Sequence, residues 1–253
     1  MDKNLSVTIL QLNLAWEDID KNLQYFSERI HSLRSDTDII ILPEMFSTGF
    51  SMNPSKLAEP PTGKTFNWMK TMAEKTEAVI VGSYIVAEEG DFFNRLIWMF
   101  PDGSHQSYNK KHLFSLSEEP MLYKAGKHKI LVTYKGWKIL PLICYDLRFP
   151  VWSRNTSNYD LLIYVANWPE KRANHWRALL QARAIENQVY TIGVNRVGTD
   201  GRGAYHSGDS TVFDYAGNVL NHAAHTEQAN QLTLDYDSQQ EFRKVFPFLV
   251  DQG

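Results

Sequence analysis

The sequence predicts a layered α/β protein with mixed β-sheets, and three observations carry that expectation. Short apolar runs of strand length alternate along the chain with stripes of helical spacing. Three strand-like segments between residues 78 and 109 follow one another through short turns, which makes an antiparallel meander and excludes a purely parallel sheet. No Ser/Gly/Pro-rich stretch divides the 253 residues, so one domain over residues 1–253 is expected.

Taken in order, residues 7–14 alternate apolar and polar side chains, as a half-buried strand does. Residues 20–34 place Leu23, Phe26, Ile30 and Leu33 at helical spacing, with Asp20 as the expected N-cap. Residues 38–42 are a continuous apolar run, as in a strand covered on both faces. Phe66, Met69 and Met72 mark a second helix. Residues 78–86 and 93–100 are strand-like, and Pro101-Asp102-Gly103 turns the chain into a strand at 105–109. Residues 137–143 and 161–166 read as buried strands with a short helix near Pro150 between them. Residues 173–187 form the clearest helix, with Trp176, Leu179, Leu180 and Ala184 on one stripe. Strands at 189–194, 210–214 and 231–235 complete the order, and the glycine-rich stretch 198–203 reads as a loop.

Composition narrows the function. Apolar residues at 43% and charged residues at 22% are globular values, which excludes a disordered chain. Lys plus Arg number 26 against 29 Asp plus Glu, with no long basic run, so nucleic acid is not an expected partner. No apolar stretch approaches the ~18 residues of a bilayer span, and the first residues lack a signal-peptide core. A membrane is therefore not an expected partner either. The lone cysteine cannot form an internal disulfide, which fits a reducing, cytoplasmic compartment.

Three residues carry complementary chemistry at strand ends. A lone cysteine is more often inert core than nucleophile. Cys144, however, directly follows the strand at 137–143, where the chain turns toward Asp146, Arg148 and Pro150. Such a turn exposes a side chain beside free backbone N–H groups that suit an oxyanion. Glu44 follows the run Ile39-Ile40-Ile41-Leu42-Pro43, and the apolar, glycine-punctuated chain after it would hold the carboxylate half-buried, as a general base requires. Lys110 and Lys111 end the strand that begins at His105; with Leu113 and Phe114 beside them, one of the two should point inward toward a carboxylate. Other chemistries lack their signatures. There is no HExxH and no second cysteine for zinc, so no metal is expected. There is no phosphate-cradling glycine motif, so no cofactor is expected. None of the eight histidines is marked by a motif, and His112 and His175 read as structural hydrogen-bonders.

At these residues the sequence resembles the nitrilase, or carbon–nitrogen hydrolase, superfamily. Leu42-Pro43-Glu44-Met45-Phe46 is similar to its first glutamate block. Tyr108-Asn109-Lys110-Lys111-His112-Leu113-Phe114 is similar to its lysine block and selects Lys110 over Lys111. Ile143-Cys144-Tyr145-Asp146-Leu147-Arg148-Phe149-Pro150 is similar to its cysteine block. The resemblance implies a four-layer αββα sandwich with two mixed sheets, a Glu44–Lys110–Cys144 triad, a second glutamate at Glu119, and the Tyr145 backbone N–H as an oxyanion donor. Asn167-Trp168-Pro169, the block at 182–188 and Asn195-Arg196-Val197-Gly198 are similar to the ω-amidase branch. That branch implies hydrolysis of a small-molecule amide of the 2-oxoglutaramate or 2-oxosuccinamate type through a cysteine thioester. It also implies a homodimer, and substrate contacts at Phe114, Asn167 and Trp168. Arg172, in the loop after Asn167-Trp168-Pro169, is the candidate partner for a substrate carboxylate. A nitrilase, a carbamoylase or a broad aliphatic amidase would use the same triad, and a non-catalytic protein binding small acids could retain the fold.

Overall fold

The computed structural model describes residues 3–33 and 37–252. The chain runs β1 (Leu5–Gln11), α1 (Ile19–His31), β2 (Ile39–Ile41), α2 (Pro54–Leu57), α3 (Lys64–Thr76), β3 (Val79–Glu88), β4 (Asp91–Met99), β5 (His105–Asn109) and α4 (Glu119–Leu122). It continues through β6 (Val132–Tyr134), β7 (Trp137–Ile143), a 3₁₀ turn (Cys144–Arg148), α5 (Pro150–Ser153), β8 (Leu161–Ala166), α6 (Ala173–Asn187) and β9 (Tyr190–Asn195). The last elements are β10 (Val197–Thr199), β11 (Tyr205–Phe213), β12 (Val219–Ala224), β13 (Gln228–Leu234) and α7 (Tyr236–Val245).

Two mixed sheets form. The first has the order β13-β1-β2-β3-β4-β5, and the second β10-β11-β9-β8-β7-β6 with β12 paired to β11. Each centres on three parallel strands, β1-β2-β3 and β7-β8-β9, with antiparallel strands outside them. The expected meander is the β3-β4-β5 run. The period-two alternation of strand side chains stacks the layers. Val7, Ile9, Ile39, Ile41, Val79 and Val81 enter the core shared with the second sheet. Leu10, Ile40, Leu42 and Ile80 face the other way, onto Leu23, Phe26 and Ile30 of α1 and Met69 and Met72 of α3. On the far side, Trp176, Leu180 and Ala184 of α6 close the second sheet. The result is the four-layer αββα sandwich.

Several boundaries differ from the sequence reading. β1 ends at Gln11 rather than residue 14, because Asn13 leaves the first sheet and bridges to Val197 of the second. The N-cap of α1 is Asp18, whose carboxylate accepts from the Lys21 N–H at 3.0 Å; Asp20 lies inside the first turn. The helix ends at His31, and residue 34, its expected end, lies outside the described residues. Gly198 belongs to strand β10, so the glycine-rich loop is shorter than expected. β11 begins five residues before residue 210, because a bulge at Gly208–Ser210 interrupts its alternation. Among the described residues no helix is long and apolar enough to cross a membrane.

Candidate active site

The carboxyl ends of the parallel strands in both sheets open on the same side, and the strand-end residues meet there. Glu44 lies in the turn after β2. Met45 N–H donates to Ser83 Oγ (2.9 Å) and Phe46 N–H to the Ser83 carbonyl (3.0 Å), which ties the turn to β3. Gly82 leaves room for it, since a Cβ there would fall 2.9 Å from Leu42 Cβ. Lys110 follows β5, and its N–H donates to the Asn94 carbonyl of β4 at 2.9 Å. Cys144 opens the 3₁₀ turn after β7 with φ at +43°, and Met45 beside Glu44 stands at +42°. Left-handed backbone at non-glycine residues costs about 1–3 kcal/mol each and persists only where its surroundings over-determine it.

The charged groups are deeper than the sequence implied. Glu44 is fully buried rather than half-buried, Glu119 is 0% exposed, Lys110 1% and Cys144 8%. Lys110 Nζ donates to Glu44 Oε1 at 2.8 Å and to both Glu119 oxygens at 3.0 Å. Asn94 Nδ2 donates to Glu44 Oε1 at 2.8 Å, and the Asn167 N–H donates to Glu44 Oε2 at 2.9 Å. The Asn167 side-chain amide also donates to the Glu44 carbonyl. The Phe114 N–H donates to Glu119 Oε2 at 2.6 Å. Each ion therefore has partners, without which burial at this depth would not be tolerated.

Electrostatics follow from that geometry. Burial opposes the Lys110 charge, but Glu119 and Glu44 outweigh it and hold the ammonium above its ordinary value. Burial, aided by the Glu44 charge, raises the Glu119 carboxyl against the pull of Lys110. Burial foremost, then the Glu44 charge, pushes the Cys144 thiol well up, while Lys110 acts in the opposite direction. The resting sulfur is thus a thiol, and a base must take its proton before it attacks.

A cleft of about 470 Å³, its open mouth included, lies over Cys144. Phe50, Phe114, Tyr145 and Trp168 give it aromatic walls, and Asn167 lies beside them. Arg172 lines it too, with its guanidinium 5.3 Å from the Phe114 ring centroid. Sequence reasoning passed over three participants. Arg148 lies in the wall, 4.8 Å from the Trp168 ring centroid. His206 lines the cleft with its pKa pushed down to about 4, by burial first and Arg196 second, so it is neutral at physiological pH. Asn94 bridges the two buried carboxylates from mid-strand. The signal for Arg148 was its place four residues after Cys144; the other two carried none. His112 and His175 make side-chain hydrogen bonds, with Asp146 at 2.8 Å and Arg148 at 3.2 Å.

The family model described as carbon-nitrogen hydrolase matches residues 6–244. The chain is 44% identical over 250 residues to the omega-amidase YafV of Escherichia coli K12, covering 98% of this chain and 96% of that one. It is 30% identical to the 2-oxoglutaramate amidase of Bacillus subtilis 168, covering 97% and 96%. The crystal structure of XC1258 from Xanthomonas campestris, a CN-hydrolase superfamily protein with an arsenic adduct in its active site, superposes with a TM-score of 0.97. It has 39% identity and covers 99% of this chain and 97% of its own.

Proposed function

We infer the activity from a plain premise: this chain belongs to the carbon–nitrogen hydrolase family. It is an amidase that hydrolyses small ω-amides of the 2-oxoglutaramate and 2-oxosuccinamate type to the acid and ammonia. The observation that carries the reading is a buried Glu44–Lys110–Glu119 cluster next to Cys144, in a cleft that also holds two arginines. Among the described residues neither Arg148 nor Arg172 has an ion-pair partner. A ligand carboxylate is the partner such guanidinium groups suit.

In this reading Cys144 Sγ attacks the amide carbonyl as Glu44 takes the thiol proton. Lys110 Nζ–H and the Tyr145 N–H hold the tetrahedral oxyanion. Glu44 passes the proton to the nitrogen, ammonia leaves, and a thioester remains. Glu44 then deprotonates water, which cleaves the thioester to the acid and restores the thiol. Glu119 grips Lys110 through both oxygens and keeps Nζ aimed at the oxyanion. Phe114 and Trp168 wall the substrate chain, and Asn167 fixes Glu44. The chemistry needs no metal or organic cofactor. The reading also takes residues 1–253 as one catalytic domain acting in the cytoplasm as a homodimer. The lone cysteine supports the compartment, and sedimentation of the purified protein tests the assembly.

Ammonia release measured from an ω-amide, a neutral amide, a nitrile and an N-carbamoyl compound tests the reading. The expected result is fastest turnover of the ω-amide; faster turnover of the neutral amide removes the assignment. Glu44→Gln should lower kcat by about 10²–10⁴-fold, the usual contribution of general acid–base catalysis. The same change removes an anion that raises the thiol, so the pH profile of Cys144 alkylation should move to lower pH while turnover is lost. Near-normal kcat would place the base elsewhere. Arg172→Ala should raise KM for 2-oxosuccinamate about tenfold, the low end for a hydrogen bond to a charged group at a half-exposed site. KM for a neutral short amide should stay unchanged, and equal effects on both would remove Arg172 from the site.

A further inference from the structure

We propose that Asp146 is a positioning residue that locks the Cys144 turn to the strand end carrying Lys110; this rests on the amidase reading above. Asp146 is 0% exposed and stands outside the cleft lining. Its Oδ2 accepts from Ile143 N–H at 3.1 Å and Tyr108 O–H at 2.7 Å. Its Oδ1 accepts from His112 N–H at 3.0 Å and lies 2.8 Å from His112 Nδ1. A carboxylate that merely capped its own turn would need only the Ile143 contact. Three of the four contacts instead reach across 34 to 38 residues to another part of the chain.

The placement of those contacts matters more than their number. Tyr108 and His112 lie two residues either side of Lys110, and Ile143 immediately precedes Cys144. Asp146 therefore holds both flanks of the lysine and the entry to the nucleophile. Tyr108 Oη extends the lock by accepting from Lys111 N–H at 3.0 Å and Trp152 Nε1–H at 3.1 Å. On the other side of the turn, Arg183 donates to the Leu147 carbonyl at 2.7 Å and anchors it to α6. Lys110 and Cys144 come from different sheets, and the hydrogen bonds of Asp146 to Tyr108 and His112 join the two segments that carry them. Catalysis depends on that spacing, because an oxyanion on the carbon bonded to Sγ must fall within reach of Nζ. A misplacement of about 1 Å can lower the rate about 10²-fold.

The test uses Asp146→Asn, which keeps the shape and sets an amide N–H against one pair of donors. Relative to wild type, kcat per titratable Cys144 should fall about 30–100-fold on an ω-amide, with KM within about twofold. A merely structural role would lower the melting temperature and the folded fraction but leave kcat per intact thiol unchanged. Tyr108→Phe, which removes one donor and keeps the ring, should give a smaller loss, again in kcat rather than KM. If Asp146→Asn does not fold, Tyr108→Phe decides. Alkylation of Cys144 by iodoacetamide provides a readout that needs no amide, and it should slow in both variants as Lys110 loses its place beside the sulfur. If wild type releases no ammonia from any ω-amide, the amidase reading fails while the alkylation rates still judge Asp146. Variants that match wild type in kcat per thiol and in alkylation overturn the proposal.

Discussion

Cys144→Ala should leave the protein folded and stop turnover, with a loss on the order of 10⁵–10⁶-fold, as when a catalytic nucleophile is deleted. The sulfur occupies a buried position at the end of β7, and alanine leaves a gap of one atom there. Such a gap costs about 1 kcal/mol, which is a melting shift of about 2–4 °C for a chain of this size. Alanine retains the same left-handed backbone at +43° as cysteine, so the turn gains no new strain. The contrast between an intact melting curve and absent ammonia release separates chemistry from folding. Wild type mixed with an ω-amide and quenched should show the mass of a thioester adduct, and Cys144→Ala should show none. An active Cys144→Ala would end the thioester mechanism, because this chain has no second thiol to take over.

What the sequence disclosed depended on the range of the interaction involved. Strands β7 and β8 were legible to the residue, because their apolar runs are bounded by turn residues and covered on both faces. Helix α6 was equally plain from its stripe. Glu44, Lys110 and Cys144 stood out because each lies just past the end of a strand, a position read along the chain. β6 and β12 escaped: the first has three residues, and the second is largely exposed and lacks a buried face to impose a pattern. α7 escaped because only Gln239 among its residues is buried.

The site shows the same division. Asn94 is an ordinary polar residue within a strand until β4 pairs between β3 and β5 and carries its amide to Glu44 and Glu119. His206 reaches the cleft only because β10 and β11 fold back past the end of β1. Asp146 was visible as part of a motif block, but its hydrogen bonds to Tyr108 and His112 join segments from opposite sheets. No spacing rule along the chain encodes such a contact, which depends on how two sheets stack.

Lys110→Ala and Lys111→Ala should differ as sharply as two neighbouring lysines can. Lys110 is the one cation that Glu44 and Glu119 both contact among the described residues. Its removal leaves two buried carboxylates facing each other, and breaking a buried ion pair from one side typically costs about 3–5 kcal/mol. One carboxyl must then bind a proton in the folded state at a pH where the unfolded chain does not. The folded state therefore binds more protons than the unfolded one, so the variant's stability deficit should shrink as pH falls and widen as it rises. Turnover is lost for a separate reason, since a missing oxyanion donor alone costs about 2.7–4 kcal/mol of barrier. Lys111, half-exposed, lies 5.8 Å from the Trp152 ring centroid, and its structural contact is a backbone N–H that alanine retains. Lys111→Ala should therefore change stability by less than about 1 kcal/mol, the scale of an exposed cation–π contact. Its kcat should stay near wild type. Melting curves across pH 5–9 beside ammonia assays check both halves, and an active Lys110→Ala or an inactive Lys111→Ala would show that the wrong lysine had been placed at the oxyanion.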